Sequence, residues 1–387
     1  MRAALSAPTR TPVACANAVL AALRGVGRRI YHEGISSERT TVARRSIASS
    51  SALGRAVERG DVSAARTAAE ALVSSGRVVS LTVLRNGQVL ASAGTSHALA
   101  PFNGPIVGAA GARVGTFITS VWGSTGLIEE TTGVSGAETL VRRHASTLDG
   151  KFRLPARALP ARGTLTIGAS TYAYTSFPAS EYPSGAHLRV YLVRSLSSTR
   201  PLCGADVEDT TVNTLTKVAR QIYLGEAGSR AQVEVRRVQS NQPLVRAVSA
   251  RDSAATRTAI EALLTEHIVR LRVSAGGHLL SDVGGPYVLA PVSASLRGEG
   301  RTIGRFVLSI QDDEGYLRLT RRLAGLGVLM YMGQTLVKNS LGPVSGGVPE
   351  EGRFEYHGRD YRTVTLHADA FPSGPLRIIV LIPIPYS

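Results

Sequence analysis

The sequence predicts an α+β protein built as two tandem copies of one domain, and three observations predict it. RTAAEAL at residues 66–72 returns as RTAIEAL at residues 257–263, with six of seven positions matching at an offset of 191. Further matches keep their order: Ile30-Tyr31 with Ile222-Tyr223, Arg44-Arg45 with Arg236-Arg237, Leu99-Ala100-Pro101 with Leu289-Ala290-Pro291, and Thr139-Leu140-Val141 with Thr335-Leu336-Val337. A period near 190 residues is too long for a solenoid repeat and marks two whole domains. Within each copy, apolar residues first recur at helical spacing and then alternate with period two. The copies are read as residues 12–199 and 200–387, with the polar segment 195–201, ending at Pro201, as the linker.

Each copy is expected to open with a helix pair. Residues 13–23 follow Arg2 and Arg10 and have the look of a signal-peptide core. The same spacing recurs mid-chain, where Val212, Leu215, Val218 and Ile222 answer Leu20, Leu23, Val26 and Ile30, so residues 13–31 read as a folded amphipathic helix. In the second copy, residues 211–249 are helical with a break at Pro243, and a further helix covers about 253–266. Its counterpart in the first copy starts after Asp61, a good N-cap residue. Strands follow at 78–84 and 268–274, where Val79, Leu81 and Val83 match Val269, Leu271 and Val273. Asn86-Gly87 and Gly276-Gly277 are the residues that two-residue hairpin turns require. Return strands cover 88–92 and 278–282, and a third strand covers 113–121 and 302–310. The second copy continues with a short helix at about 313–323, a hairpin of 328–332 with 335–339, and last strands at 354–356, 360–366 and 376–383. Each copy is thus a helix pair followed by an antiparallel sheet of five or six strands.

The chain of 387 residues carries 44 Lys+Arg against 28 Asp+Glu, a net charge of +16, almost all of it arginine. The arginines are spread along the whole length and only 5% of residues are aromatic. A nucleic-acid partner, which calls for a clustered basic stripe or a stacking motif, is therefore not expected. No apolar run approaches the ~20 residues that span a bilayer.

This layout resembles the Cache superfamily of extracytoplasmic sensor domains, which set a PAS-like sheet behind a long N-terminal helix. The residues that carry the resemblance are the helix ending RTAIEALL, the strand–turn–strand IVRLRVSAGGHLLSDVG, the segment Gly304–Asp313, the helix from about Tyr316 and the pair VLMYMGQTLVKNS. The resemblance implies a small-molecule sensor located outside the cytoplasm or secreted, with a pocket between the sheet and the inserted loops and helix, and a membrane receptor as a partner. Neither a clear signal peptide nor a spanning segment is read in this chain. Between Gly115 and Thr139 the first copy has 24 residues, and between Gly304 and Thr335 the second has 31. On that count the first copy has lost the inserted helix and one hairpin strand, and the second copy is expected to keep the ligand.

Catalytic patterns are missing: there is no phosphate-binding loop, no H-E-x-x-H and no G-x-S-x-G. The eight histidines show no ligand spacing, so no enzyme activity, metal or cofactor is expected. Asp312-Asp313-Glu314 reads as the cap of the helix that follows. Cys15 and Cys203 can be bridged or can be two free thiols, and the sequence leaves both open. The candidate ligand-binding residues lie on the sheet face turned away from the long helix and at the pocket rim. Arg272, Ser309 and Gln311 are the polar groups on that face, with Asp312 beside them; Tyr287, Tyr316 and Tyr331 supply flat walls. An arginine in such a site favours a carboxylate-bearing ligand.

Overall fold

The computed structural model describes residues 11–225, 227–264, 267–344, 347–371 and 374–386. The chain divides into two compact units, residues 1–211 and 212–387. In the first, the helix Pro12–His32 begins at a Thr11 cap, with Pro12 in its first turn where no partner is needed for an N–H. Its buried stripe runs through Leu20, Leu23, Val26 and Ile30, as the spacing predicts. Three shorter helices follow, Glu38–Ala48, Ser51–Arg59 and Val62–Ser74. Asp61 caps the last by accepting the Ala64 N–H at 3.0 Å.

Beyond the helices lie two sheets, not one. The first has the spatial order Gln88–Gly94, Ser80–Arg85, Arg113–Ser120, Phe102–Val107, all antiparallel. Leu81, Val83 and Phe117 pack from it onto Leu53, Val57 and Ala69 of the helices. The short strand Trp122–Gly123 then leads into the helix Ser124–Ser135, which delivers the chain to a second sheet. Its order is Ser146–Asp149, Glu138–Arg143, His187–Ser195, Ser170–Ser180, Arg162–Ile167.

The second unit repeats this plan. Helices Ser229–Ser240, Gln242–Ser249 and Ser253–Leu263 follow the long helix Val207–Gly225, and Pro243 sits in the first turn of a new helix capped by Asn241. The expected end of the last helix at residues 265–266 lies outside the described residues. The first sheet runs His278–Gly284, Arg270–Ala275, Arg301–Ser309, Val292–Gly298. The second runs Thr335–Asn339, Gly327–Met332, Gly374–Ile384, Arg359–Phe371, Gly352–Tyr356, with short strands Val288–Leu289 and Gln311–Asp312 joined to its Arg359–Phe371 side. Numbered within each sheet, the strand order is 2-1-4-3 and then 2-1-5-4-3 in both units. The architecture is α+β, helices first and antiparallel sheets after, in two tandem halves of the same plan.

Three expectations are corrected. The five or six strands per half become two sheets, because Phe102–Val107 and Val292–Gly298 also pair and the inserted helix separates the two sets. The first half has lost nothing: it has a twelve-residue helix, Ser124–Ser135, and the hairpin Glu138–Arg143 with Ser146–Asp149. Matching Thr139 to Thr335 paired the first strand of one hairpin with the second strand of the other. From Gly115 to Glu138 and from Gly304 to Gly327, the two starts of that first strand, the spacing is 23 residues in each half. The helix escaped notice because STGLIEETTGVS mixes glycines and threonines with few apolar residues. The segment 195–201 is folded: Ser195 caps the helix Leu196–Thr199, Pro201 starts a 3₁₀ turn, and Thr199 is buried.

The hairpins turn as their residues require, with positive φ at Asn86-Gly87 (51° and 78°) and at Gly276-Gly277 (56° and 81°). Gly94 and Gly284 sit at φ +99° and +136°, where a Cβ would come within 2.2 Å of the Val79 carbonyl oxygen and 2.3 Å of that of Val269. Gly284→Ala is expected to cost about 2–3 kcal/mol in denaturant unfolding. A change below about 0.5 kcal/mol would contradict this backbone geometry.

Candidate ligand-binding site

The seven predicted residues are placed as follows. Tyr316, on the helix Asp313–Leu319, is fully buried; its hydroxyl donates to the Ala219 carbonyl at 3.0 Å and its ring meets Tyr223 edge-on at 5.8 Å. Burial pushes its pKa far above the usual phenol value. Ser309 is 1% exposed; it donates to the Leu289 and Gln311 carbonyls and accepts the Gln311 N–H at 3.3 Å. Ser120 makes the same set of bonds in the first half, to Leu99 and Trp122. Gln311 is buried and pairs with Leu289 in the sheet. Asp312 caps its helix, accepting the Gly315 N–H at 2.7 Å. Tyr287 is exposed, and its carbonyl accepts the Asp313 N–H at 3.1 Å. Tyr331 lies in the second sheet with the Arg377 guanidinium 5.0 Å from its ring centre.

Arg272 has a carboxylate, and the chain itself supplies it. Its Nη2 lies 2.7 Å from Asp282, and its guanidinium stacks 4.7 Å from the Phe371 ring centre. Arg270, two residues back on the same face, holds the other Asp282 oxygen at 2.8 Å and lies 5.2 Å from the same ring. Burial pushes the Asp282 carboxyl up, but hydrogen bonds and charge from Arg270 and Arg272 outweigh it and hold its pKa below the usual carboxylate value. The register puts Ser80, Thr82 and Ser92 at the corresponding places in the first half. There the contact is neutral: the Thr82 hydroxyl lies 2.7 Å from that of Ser92 and 2.6 Å from that of Tyr182. In each half this face of the first sheet is met by an aromatic residue from at or just beyond the end of a second-sheet strand, Phe371 at the end of Arg359–Phe371 or Tyr182 in the turn after Ser170–Ser180. The structure thus brings the Tyr287 backbone beside Ser309, Gln311 and Asp312 and holds Arg272 in an ion-pair cluster, while Tyr331 lies on a different strand.

A cleft of about 460 Å³ opens elsewhere in the second unit, at the end of its second sheet. Leu326, Leu341, Tyr361 and Pro383 form its apolar wall, and Arg321, His357 and Arg359 ring its mouth. None of the seven predicted residues lines it. The hairpin between Gly352–Tyr356 and Arg359–Phe371 turns through His357 and Gly358, both at positive φ, and so presents Arg359. The Tyr356 hydroxyl donates to the Leu341 carbonyl at 2.8 Å and fixes the wall. Arg321 comes from the irregular turn Thr320–Ala324, closed by Gly325 at φ +68°. Arg321 and Arg359 are exposed and make no side-chain ion pair among the described residues, and no Asp or Glu lines the cleft. Two guanidinium groups beside an apolar and aromatic wall can hold an anion attached to a small apolar body. The signal in the sequence was FEYHGRDYR, which gathers aromatic residues and arginines at a turn. Among the described residues no group of three or more His, Cys, Asp or Glu side chains could hold a metal.

No family description matches the sequence, and no curated protein matches it. Solved structures do. The periplasmic domain of LuxQ from Vibrio cholerae is 13% identical over 44% of this chain and 97% of its own, with a TM-score of 0.30. The ligand-binding domain of the Campylobacter jejuni chemoreceptor Tlp3, solved with 4-methylisoleucine, is 7% identical over 50% of this chain and 95% of its own, at 0.29. An extracellular ligand binding receptor from Desulfohalobium retbaense is 13% identical over 46% of this chain and 39% of its own, at 0.25. Each half has a long helix, an inserted helix and a second sheet of order 2-1-5-4-3.

Proposed function

We propose that the chain is a non-enzymatic sensor module that works outside the cytoplasm and binds a small anionic molecule, with a carboxylate as the preferred group, in the cleft of its second half. The observation that carries this is the pair Arg321 and Arg359 at the mouth of a partly aromatic cleft with no acidic lining. A disulfide between Cys15 and Cys203 supports an oxidising compartment. No helix among the described residues is long and apolar enough to cross a membrane. On this reading a membrane receptor is the partner that takes up the signal.

A second reading is favoured by one specific observation. The face expected to line the pocket is filled by the chain's own Arg270, Arg272, Asp282 and Phe371. On that reading the halves are a partner-binding module without a ligand. A thermal-shift screen of carboxylates, amino acids, inorganic phosphate and neutral nucleobases separates the two. At 100 times its dissociation constant a ligand adds about 2.7 kcal/mol of stability. The anionic compounds are expected to raise Tm and the nucleobases are not; a flat response to every compound favours the interaction module.

A further inference from the structure

The second sheet of the first half buries a cation that the fold does not neutralise. Arg142, on the strand Glu138–Arg143, is 1% exposed and is the largest fully buried side chain among the described residues. Its Nη2 donates to three carbonyls of the covering loop, those of Ala145, Pro155 (2.9 Å) and Arg157 (3.3 Å). Its Nε and Nη1 are buried and have no hydrogen-bond partner. Among the described residues no carboxylate lies within ion-pair distance of it. The one further favourable contact is the Tyr191 ring, 5.7 Å from the guanidinium carbon. A guanidinium carries a permanent charge, and burying a charge without a counter-charge is costly.

The other half shows how the fold answers such a charge. The register pairs Arg142 with Arg189 and Tyr331 with Arg377, so Tyr331 occupies the place of Arg142. There the cation is Arg377, stacked on Tyr331 and paired with the Glu350 carboxylate. The counterpart of Arg377 is Arg189, which donates to the Ser176 hydroxyl at 3.0 Å; the first half therefore has two arginines at this place, and neither pairs with a carboxylate among the described residues. Around Arg142 the covering loop is held by the sheet's aromatic residues: the Tyr191 hydroxyl donates to the Leu159 carbonyl at 3.3 Å, and Phe152 meets Tyr172 edge-on at 5.0 Å. Arg194, also buried, is a different case, because it donates to the carbonyls of Ser135 and Ser198 at two helix ends, where a cation is favoured.

We infer that the first half has its own anion site, in which a compact oxyanion, a carboxylate or phosphate group, enters beneath the 150–161 loop and accepts hydrogen bonds from Nε and Nη1 of Arg142. The anion then does for Arg142 what Glu350 does for Arg377, and binding ties the loop to the sheet. The site is separate from the cleft of the second half and goes beyond the function proposed above.

The test uses the full chain with Arg321 and Arg359 replaced by alanine, so that the two sites are read apart. Sodium acetate and inorganic phosphate are titrated at constant ionic strength set with sodium chloride. One of the two is expected to raise Tm by about 5 °C with saturation in the millimolar range. Which one does so distinguishes a carboxylate source from a phosphate source. Arg142→Met, matched in length and uncharged, is expected to keep or raise Tm without added anion and to lose the saturable response. A linear rise shared by both proteins is a general salt effect and overturns the site, as does no rise in the parent. Should Arg142→Met not fold, the Arg142 Nε–H resonance of the parent decides: a saturable shift with the anion supports the site, and an unmoved resonance overturns it.

Discussion

Replacing Cys15 and Cys203 by serine is expected to lower the stability of the first unit by about 3–5 kcal/mol. The two cysteines bond across a sequence separation of 188 with their Cα atoms 5.6 Å apart. Closing so long a loop removes a large share of the unfolded chain's freedom, and the chain-entropy account places the effect at the top of its range. The bridge fastens the first turn of Pro12–His32 to the segment after the Arg200–Leu202 turn. Denaturant unfolding of the variant against the parent measures it, and 1 kcal/mol corresponds to about 2–4 °C in Tm for a unit of this size. A loss under about 1 kcal/mol would show that the bridge constrains little.

The second large effect falls on the other unit. Asp282→Asn is expected to cost about 2–4 kcal/mol, because it leaves Arg270 and Arg272 without a counter-charge in a mostly buried setting. Only 13% of the Arg270 and Asp282 side chains is exposed, whereas Arg272 keeps 35% exposed and contributes less to this figure. The same carboxylate predicts a pH dependence. Burial raises the Asp282 pKa and the two arginines lower it further than that, so the folded value lies below the unfolded one. Its contribution is therefore fully present above about pH 4, the unfolded value, and is lost as pH falls through the folded value. The stability gap between parent and Asp282→Asn should be constant above about pH 4 and narrow as pH falls below it toward the folded value. The corresponding contact in the first half, Thr82 with Ser92 and Tyr182, has no group that titrates in acid and should not follow this course. A constant difference from pH 3 to pH 7 would contradict the assignment.

Much of the fold was legible because its signals are local. The Asp61 cap, the break at Pro243, the Asn86-Gly87 and Gly276-Gly277 turns and the alternation through Leu271 and Val273 each need only a few adjacent residues. The duplication was legible because both halves kept these features. The partition into two sheets was not, because Pro105 and Gly104 hide the strand Phe102–Val107 and because which strands pair is settled by contacts far apart in sequence. The surroundings of the candidate site residues were not legible for a related reason. Alternation correctly set Arg272 on the face away from the helices, but Asp282 and Phe371, its own carboxylate and its own flat wall, arrive from 10 and 99 residues further along. Tyr316 and Ser309 read as pocket residues by type, and their burial shows them holding the helix and the strand end in place. Arg142 gave no sign at all: Arg142-Arg143 reads as one surface doublet, yet period two sends the first into the interior and leaves the second on the surface with Glu181.

The central claim, that the cleft of the second half receives an anion, is tested most directly by calorimetric titration of the anion that gives the largest thermal shift, into the parent chain and into the Arg321→Ala, Arg359→Ala double variant. The account predicts one site in the second half whose affinity falls by roughly 10–100-fold in the variant, as expected for loss of two charge-assisted contacts. Equal affinity in both proteins, or no heat of binding in the parent, would contradict it.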